Sequence, residues 1–390
     1  MSDKKVISVS DPIIGEAEKE AISSVIDSGW ITMGKKVKEF EGLFAEMHGA
    51  VDGVAVNSCT AGLHLALAAL GIGPGDEVLV PSLTFVATAN AVFYVGATPR
   101  FVDIEAISKP HMSIESAQQA CTSQTKAVMV MHYGGYSMDM EAWRKFANDN
   151  QLYLIEDAAH APGGRSIGRL SDVAVFSFFS NKNMTTAEGG MVLAKDPELL
   201  KKIRLMRSHG MTSMTLDRYK GNAYSYDVEL LGYNYRMDEI RAAIGIAQLA
   251  RLASWTEKRR QLTDKYRERL SINCPEVCVP FSEQHETVAH IMPVLLPEKS
   301  DRQKIMADLR SDGVLSSIHY PPVHQFSYYR ERLPGIRLPM TERYAERQLT
   351  IPLYAAMSFD DLEQVVQALV KAVGCVPRTK HGSSNAPGHD

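Results

Sequence analysis

From residue 60 to about residue 195, short apolar runs alternate with segments of helical period. "TAGLHLALAALG" reads as an almost wholly apolar helix ending at Gly71. "EVLVPSLTF" predicts a strand and "VATANAVFYVG" a helix; "PRFVDI" predicts a short strand and "IESAQQACTS" a helix. "KAVMVMHYGG" and "MEAWRKFANDN" repeat the strand–helix alternation, and three more strands follow, "LYLIED", "VAVFSFF" and "GMVLA". Continuous apolar strands separated by helices imply a mostly parallel sheet covered on both faces. The expected class is α/β, with ligands at the carboxyl ends of the strands.

A helical pattern then runs over about residues 238–270, long enough to link two lobes. Beyond it, "VAHIMPVLLP" and "VLSSIHYPP" read as strands, with helices near 301–312, 341–350 and 359–373. These predict a smaller C-terminal α+β domain. The expected division is 1–250 for the large domain and 251–375 for the small one. Residues 376–390, which include "RTKHGSSNAPGHD", form a polar tail expected to be disordered.

Composition narrows the partners. The chain is 45% hydrophobic and 23% charged with a formal charge of -4, so it lacks the basic footprint of a nucleic-acid binder. No apolar run reaches the ~20 residues needed to span a bilayer, and the start lacks the apolar core of a signal peptide. A soluble, cytoplasmic protein is expected. The five cysteines (Cys59, Cys121, Cys274, Cys278, Cys375) form no CxxC pair and are expected to be reduced thiols. The histidines include no HExxH pair, so nothing supports a metal. "GWITMGKK" resembles a P-loop, but Lys36 replaces the required hydroxyl and a helix, not a strand, precedes it. "GIGPGD" precedes a strand, so a helix C-cap and turn explain it better than a dinucleotide loop.

Three features fall at matching places in the proposed sheet. "VNSCTAGLHLAL" puts Ser58, Cys59, Thr60 and Ala61 at a helix start. Unpaired N–H groups and the helix dipole there suit a phosphate, although an N-cap alone explains such residues. "LYLIEDAAHA" ends an apolar strand with Glu156 and Asp157. A carboxylate there needs a cation or donors unless it merely caps a helix. Lys182, in "FSFFSNKNMTTAEGGMVLA", is a lone cation in an apolar setting that depresses an ammonium pKa. A neutral amine can condense with an aldehyde, though most lysines are simply solvated. Together the three supply a phosphate cradle, a partner for a pyridine nitrogen and an aldehyde-capturing amine, which is what pyridoxal 5'-phosphate (PLP) requires.

The blocks "SGWITMGKKVKEFEGLFAEMHG", "IEDAAHAPGG", "FSFFSNKNMTTAEGGMV", "LMRSHGMT", "LGYNYRMDEIRAAIGIAQL" and "HYPPVH" extend the case. From about residue 10 to 373 the chain resembles the DegT/DnrJ/StrS sugar aminotransferases. That resemblance implies the type I PLP-dependent transferase (aspartate aminotransferase-like) fold. By position, it implies that Lys182 binds the PLP aldehyde, Asp157 pairs with the pyridine nitrogen, and His160, often Gln in relatives, meets the ring hydroxyl. Thr60, the Ala61 amide and Ser177 resemble the phosphate ligands, and Phe85 the aromatic residue stacked on the ring. Asn234 resembles a residue that reaches the phosphate from the neighbouring subunit, implying a homodimer with shared active sites. Trp30, His319 and Tyr320 lie in blocks that border the substrate cleft in relatives. Plain roles remain open: core packing for Phe85, Trp30, His319 and Tyr320, a turn for Asn234. Relatives with histidine at the lysine position are dehydrases, so Lys182 favours amino transfer. The implied reaction moves an amino group from L-glutamate (or glutamine) to a nucleotide-linked keto-sugar, for polysaccharide or secondary-metabolite amino sugars. The alternatives are a cyclitol-ketone acceptor, or a non-enzymatic regulator that binds PLP or a sugar.

Overall fold

The structure, a computed structural model, describes residues 5–212, 225–282 and 284–375. The expected tail, 376–390, lies outside these. In chain order the strands are β1 (Gly53–Val56), β2 (Glu77–Pro81), β3 (Thr98–Val102), β4 (Ile104–Ala106), β5 (Lys109–Met112), β6 (Thr125–Met131), β7 (Tyr153–Asp157), β8 (Val173–Ser177), β9 (Gly190–Ala194), β10 (Met292–Leu295) and β11 (Gln348–Ile351). Seven of them form one sheet in the order β1-β9-β8-β7-β6-β2-β3. All run parallel except β9, which pairs antiparallel with both β1 and β8. The connection from β8 to β9 contains no helix, and a parallel return needs a long crossover, so β9 comes straight back. That connection is the Lys182 loop.

The apolar runs explain the rest. The inner strands are buried on both faces, and helices seal each side. Helix Cys59–Ala69 brings Leu63, Leu65 and Leu67 onto one face, and helix Met140–Asp149 brings Trp143 and Phe146 onto the other. Each such side chain contributes roughly 1.5–3 kcal/mol when fully buried. Gly62 lets the first of these helices sit tight on the sheet, because a Cβ there would meet Val175 Cγ1 at 2.6 Å.

Helix Glu239–Asn273 joins two cores. Ala242 and Leu252 pack with Phe40, Phe44 and Phe178; Leu262, Tyr266 and Leu270 belong to a second core with β10, β11 and helix Phe359–Val373. Residue 250 lies within this helix, and Ile7, from the N-terminal segment, packs into the second core.

Some local expectations change. β1 and the β4–β5 hairpin carry no distinctive signal in the sequence reading. "VLSSIHYPP" is not a strand: it makes only isolated bridges, Ile7 with Val314 and Ser317 with Thr350. The partner of β10 is β11, taken from the end of the segment expected to be helical, where the helix stops at Arg347. The expectation of five free thiols is also corrected. Cys274 and Cys375 form a disulfide, with Cα atoms 5.1 Å apart. They follow the last turns of two packed helices 101 residues apart, a proximity invisible to local spacing. Cys59, Cys121 and Cys278 are free. Among the described residues, no helix is long and apolar enough to cross a membrane.

Candidate active site

Strand β7 delivers two carboxylates to its carboxyl end, and alternation sends them to opposite faces. Glu156 is fully buried against His132 Nε2 at 2.8 Å and accepts the Gly168 N–H. Asp157 turns to the other side, into a cavity of about 390 Å³. Its Oδ2 accepts from Thr88 Oγ1 at 2.7 Å, and its Oδ1 accepts from the Ala159 N–H at 3.1 Å. The Thr84 and Thr88 hydroxyls lie 2.7 Å apart; since Thr88 donates to Asp157, Thr84 donates to Thr88. Burial raises the Asp157 pKa, against the lowering effects of these donors and of Lys182.

Lys182 lines the same cavity, on the loop that follows β8. Burial lowers its amine from 10.5 to about 8, while Cys59 and Asp157 pull it back up. The amine is therefore substantially neutral at mildly alkaline pH, as a nucleophile must be. Ser177 ends β8 beside it, and helix Cys59–Ala69 points its N-terminus at the cavity, where Ser58, Cys59 and Thr60 form the wall. The first N–H groups of a helix have no partners within it and favour anions. Both readings of that segment hold in part: Ser58 is an ordinary N-cap, and the start it caps opens on the cavity. Ala61 departs from expectation, because its N–H donates to Ser58 Oγ at 3.1 Å and the residue does not line the cavity. A Cβ at Gly190 would meet the Cys59 nitrogen at 2.8 Å, so β9 packs directly beneath this helix start.

His160 receives the Gly134 N–H on Nδ1 at 3.2 Å, which leaves the proton on Nε2. That Nε2–H donates to Tyr320 Oη at 2.8 Å. Burial, then the nearby Lys182 charge, lowers the His160 pKa well below its ordinary value, so the ring is neutral. Tyr320 is raised well above 10 by burial and keeps its proton. His319 also lines the cavity and falls to about 4, by burial and then by Lys182. Phe85 is not a core residue. It is 57% exposed, lies at the cavity, and its ring sits 6.1 Å from that of Tyr320.

The structure thus brings together Lys182, Asp157, His160, Thr60, Ser177, Phe85, His319 and Tyr320. Trp30 and Asn234 do not line this cavity: Trp30 Nε1–H donates to the Met33 carbonyl within its own loop, and Asn234 is solvent-exposed. The sequence does not single out Thr88, Phe179, Asn181 and Glu188. Thr88 follows Phe85 by three positions, close to one helical turn, and that spacing was the available signal.

The donor set fits PLP: a buried carboxylate in need of a cationic N–H, a softened lysine, an exposed aromatic face and a helix start that favours phosphate. Comparison with known proteins agrees. Residues 12–370 match the DegT/DnrJ/EryC1/StrS aminotransferase family. The spore coat polysaccharide biosynthesis protein SpsC of Bacillus subtilis (strain 168) is 38% identical over 371 residues, covering 92% of this chain and 95% of that protein. Helicobacter pylori PseC, an aminotransferase involved in the biosynthesis of pseudoaminic acid, superposes with a TM-score of 0.88 at 26% identity, covering 95% of this chain and all of that one. Streptococcus pneumoniae Spr1654, described as a sugar aminotransferase and solved in its PLP-form, gives a TM-score of 0.86 at 29% identity, covering 95% of this chain and 99% of that one. The chain belongs to the DegT/DnrJ/EryC1/StrS aminotransferase family and is a PLP-dependent aminotransferase of the type I fold.

Proposed function

We propose that the enzyme takes the amino group of L-glutamate (or glutamine) and gives it to the keto group of a nucleotide-linked sugar, in amino-sugar biosynthesis for a polysaccharide or secondary metabolite. The observation that carries the reading is the softened Lys182 amine sharing a cavity with the buried Asp157 carboxylate. The names of SpsC and PseC, which concern spore coat polysaccharide and pseudoaminic acid biosynthesis, support the acceptor class.

When bound, PLP supplies an aldehyde and an electron-accepting ring. In our reading Lys182 Nζ would hold that aldehyde and would accept and return protons inside the cavity. Asp157 would pair with the pyridine nitrogen and keep it protonated. His160, whose Nε2–H donates to Tyr320 Oη here, would turn that donor to the ring hydroxyl. Thr60, Ser177 and the helix start would hold phosphate, and Phe85 would cover the ring. Cytoplasmic location and a homodimer belong to the same proposal. Asn234 sits near Leu231, which is 78% exposed, and Val228, which is 54% exposed, apolar surface that a second copy would cover. Asn234 would then reach the partner's phosphate, and Trp30 and His319 would border the acceptor.

Two measurements test this. Borohydride reduction and peptide mapping of the loaded enzyme should tag Lys182; tagging elsewhere removes the lysine assignment. The glutamate-treated enzyme should then be offered nucleotide keto-sugars and cyclitol ketones, with products weighed by mass spectrometry. Amine on a nucleotide sugar is the expected product, and amine on cyclitols alone would overturn the acceptor class.

A further inference from the structure

The residue after the lysine is anchored from outside its own loop. Asn183 is 2% exposed, and its Nδ2–H donates to the Val288 carbonyl at 2.8 Å. Its Oδ1 is thereby left as the acceptor for His290 Nδ1–H, at 3.0 Å. His290 is 5% exposed and packs against His160, ring centroids 4.2 Å apart and planes tilted by 52°. Its backbone N–H donates to Gly134, the residue whose own N–H fixes the His160 tautomer. Val288–His290 leads from the interlobe helix into β10. The other described ties of the loop are internal to it or reach Gln248: Lys182 N–H to Phe179 O, Thr186 N–H to Phe178 O and Thr185 N–H to Gln248 Oε1.

We propose that Asn183 and His290 are positioning residues for Lys182: the Asn183 amide, gripped on both sides by Val288 and His290, keeps the neighbouring lysine amine aimed into the cavity. This rests on reading Lys182 as the cofactor-binding lysine. Such a lysine must be released and recaptured in every cycle, so its resting direction cannot depend on the cofactor bond. The clamp supplies that direction in both states. It needs His290 neutral with the proton on Nδ1. Burial, Lys182, His319 and the Arg259 guanidinium, whose Nε and Nη1 lack partners among the described residues, all keep the ring neutral, and Asn183 Oδ1 places the proton on Nδ1. Because His290 rests on His160, the same contact steadies the residue aimed at the cofactor ring.

The test compares Asn183→Ala, His290→Leu and His290→Asn, the last keeping an amide N–H where Nδ1–H stood. Full-length, cofactor-free protein is pulsed with acetic anhydride across a pH series, and the Lys182 peptide is followed by mass spectrometry. Wild type should acetylate with a midpoint of about 8. A lysine swung towards solvent, away from Asp157, Cys59, His160 and His319, escapes the burial that lowers its amine, which outweighs losing the upward pull of Cys59 and Asp157, and titrates closer to 10.5. Asn183→Ala and His290→Leu should therefore lose about tenfold or more in labelling at pH 8. In the loaded enzyme they should also slow the glutamate half-reaction about tenfold or more at an unchanged half-saturating glutamate concentration. His290→Asn should restore both. Wild-type profiles in Asn183→Ala and His290→Leu, or equal impairment of His290→Asn and His290→Leu, would overturn the proposal. Should Asn183→Ala fail to fold, the His290 pair decides. Borohydride tagging of wild type separately tests the lysine assignment, so the two failures are distinguishable.

Discussion

Thr88→Val removes the hydroxyl facing Asp157 while nearly preserving side-chain shape. The buried carboxylate then keeps only the Ala159 N–H of its two described hydrogen-bond donors. A hydrogen bond to a charged group contributes about 1.5–3 kcal/mol, so ionised Asp157 becomes costlier by that amount in the cofactor-free protein. At 1.36 kcal/mol per unit, this is a further rise of about 1–2 pKa units, added to the rise that burial already causes. The direction with pH follows. An acid whose native pKa exceeds its unfolded value penalises the folded state increasingly as pH rises through the native pKa. The deficit of the variant should therefore be small in acid, grow towards neutrality and then level off. Urea unfolding of cofactor-free wild type and variant, at pH steps from about 4.5 to 8, measures it. Thr88→Ser should recover most of the loss. A deficit under about 0.5 kcal/mol at neutral pH, or one that does not vary with pH, would refute the reasoning.

Two further outcomes are expected. Glu239 accepts the N–H groups of Gly34, Lys36 and Val37, each at 2.9 Å, so Glu239→Gln sets an amide NH2 against one buried donor. It should cost roughly 1–3 kcal/mol in urea unfolding, and a loss below about 0.5 kcal/mol would mean that this carboxylate does not organise the Trp30 loop. Reducing the Cys274–Cys375 bond, which closes a 101-residue separation, should destabilise by up to about 4–5 kcal/mol on chain-entropy grounds. Thiol titration of denatured protein before and after reductant should rise by two groups; no rise means the pair is unlinked.

What the sequence discloses here is whatever is coded by neighbours along the chain. β7 and β8 were legible because buried parallel strands are continuous apolar runs, and Asp157 and Lys182 were legible because each interrupts or follows such a run. Phe85, Ser177 and His160 became visible through whole motifs. Thr88, Asn183 and His290 were not, since each acts through a partner 69 or more residues away, or through a loop whose path only the folded chain sets. The Ala61 amide shows the converse: its neighbour Ser58 took the N–H that motif reasoning had given to a ligand. The end of the helix expected near 341–350 instead enters strand β11, and only pairing with β10 resolves that ambiguity.

The helix Glu239–Asn273 is a rod of about 52 Å at 1.5 Å rise per residue, clamped at one end by the sheet lobe and at the other by the β10–β11 lobe. A rod gripped at both ends is a strut. Any cleft closing over an incoming sugar must flex that strut along its length, or slide the N-terminal segment through Ile7, because no slack connector exists along the helix. Its middle turns, Arg251 to Lys258, span the passage from one core to the other, and bending between the two would have to pass through them.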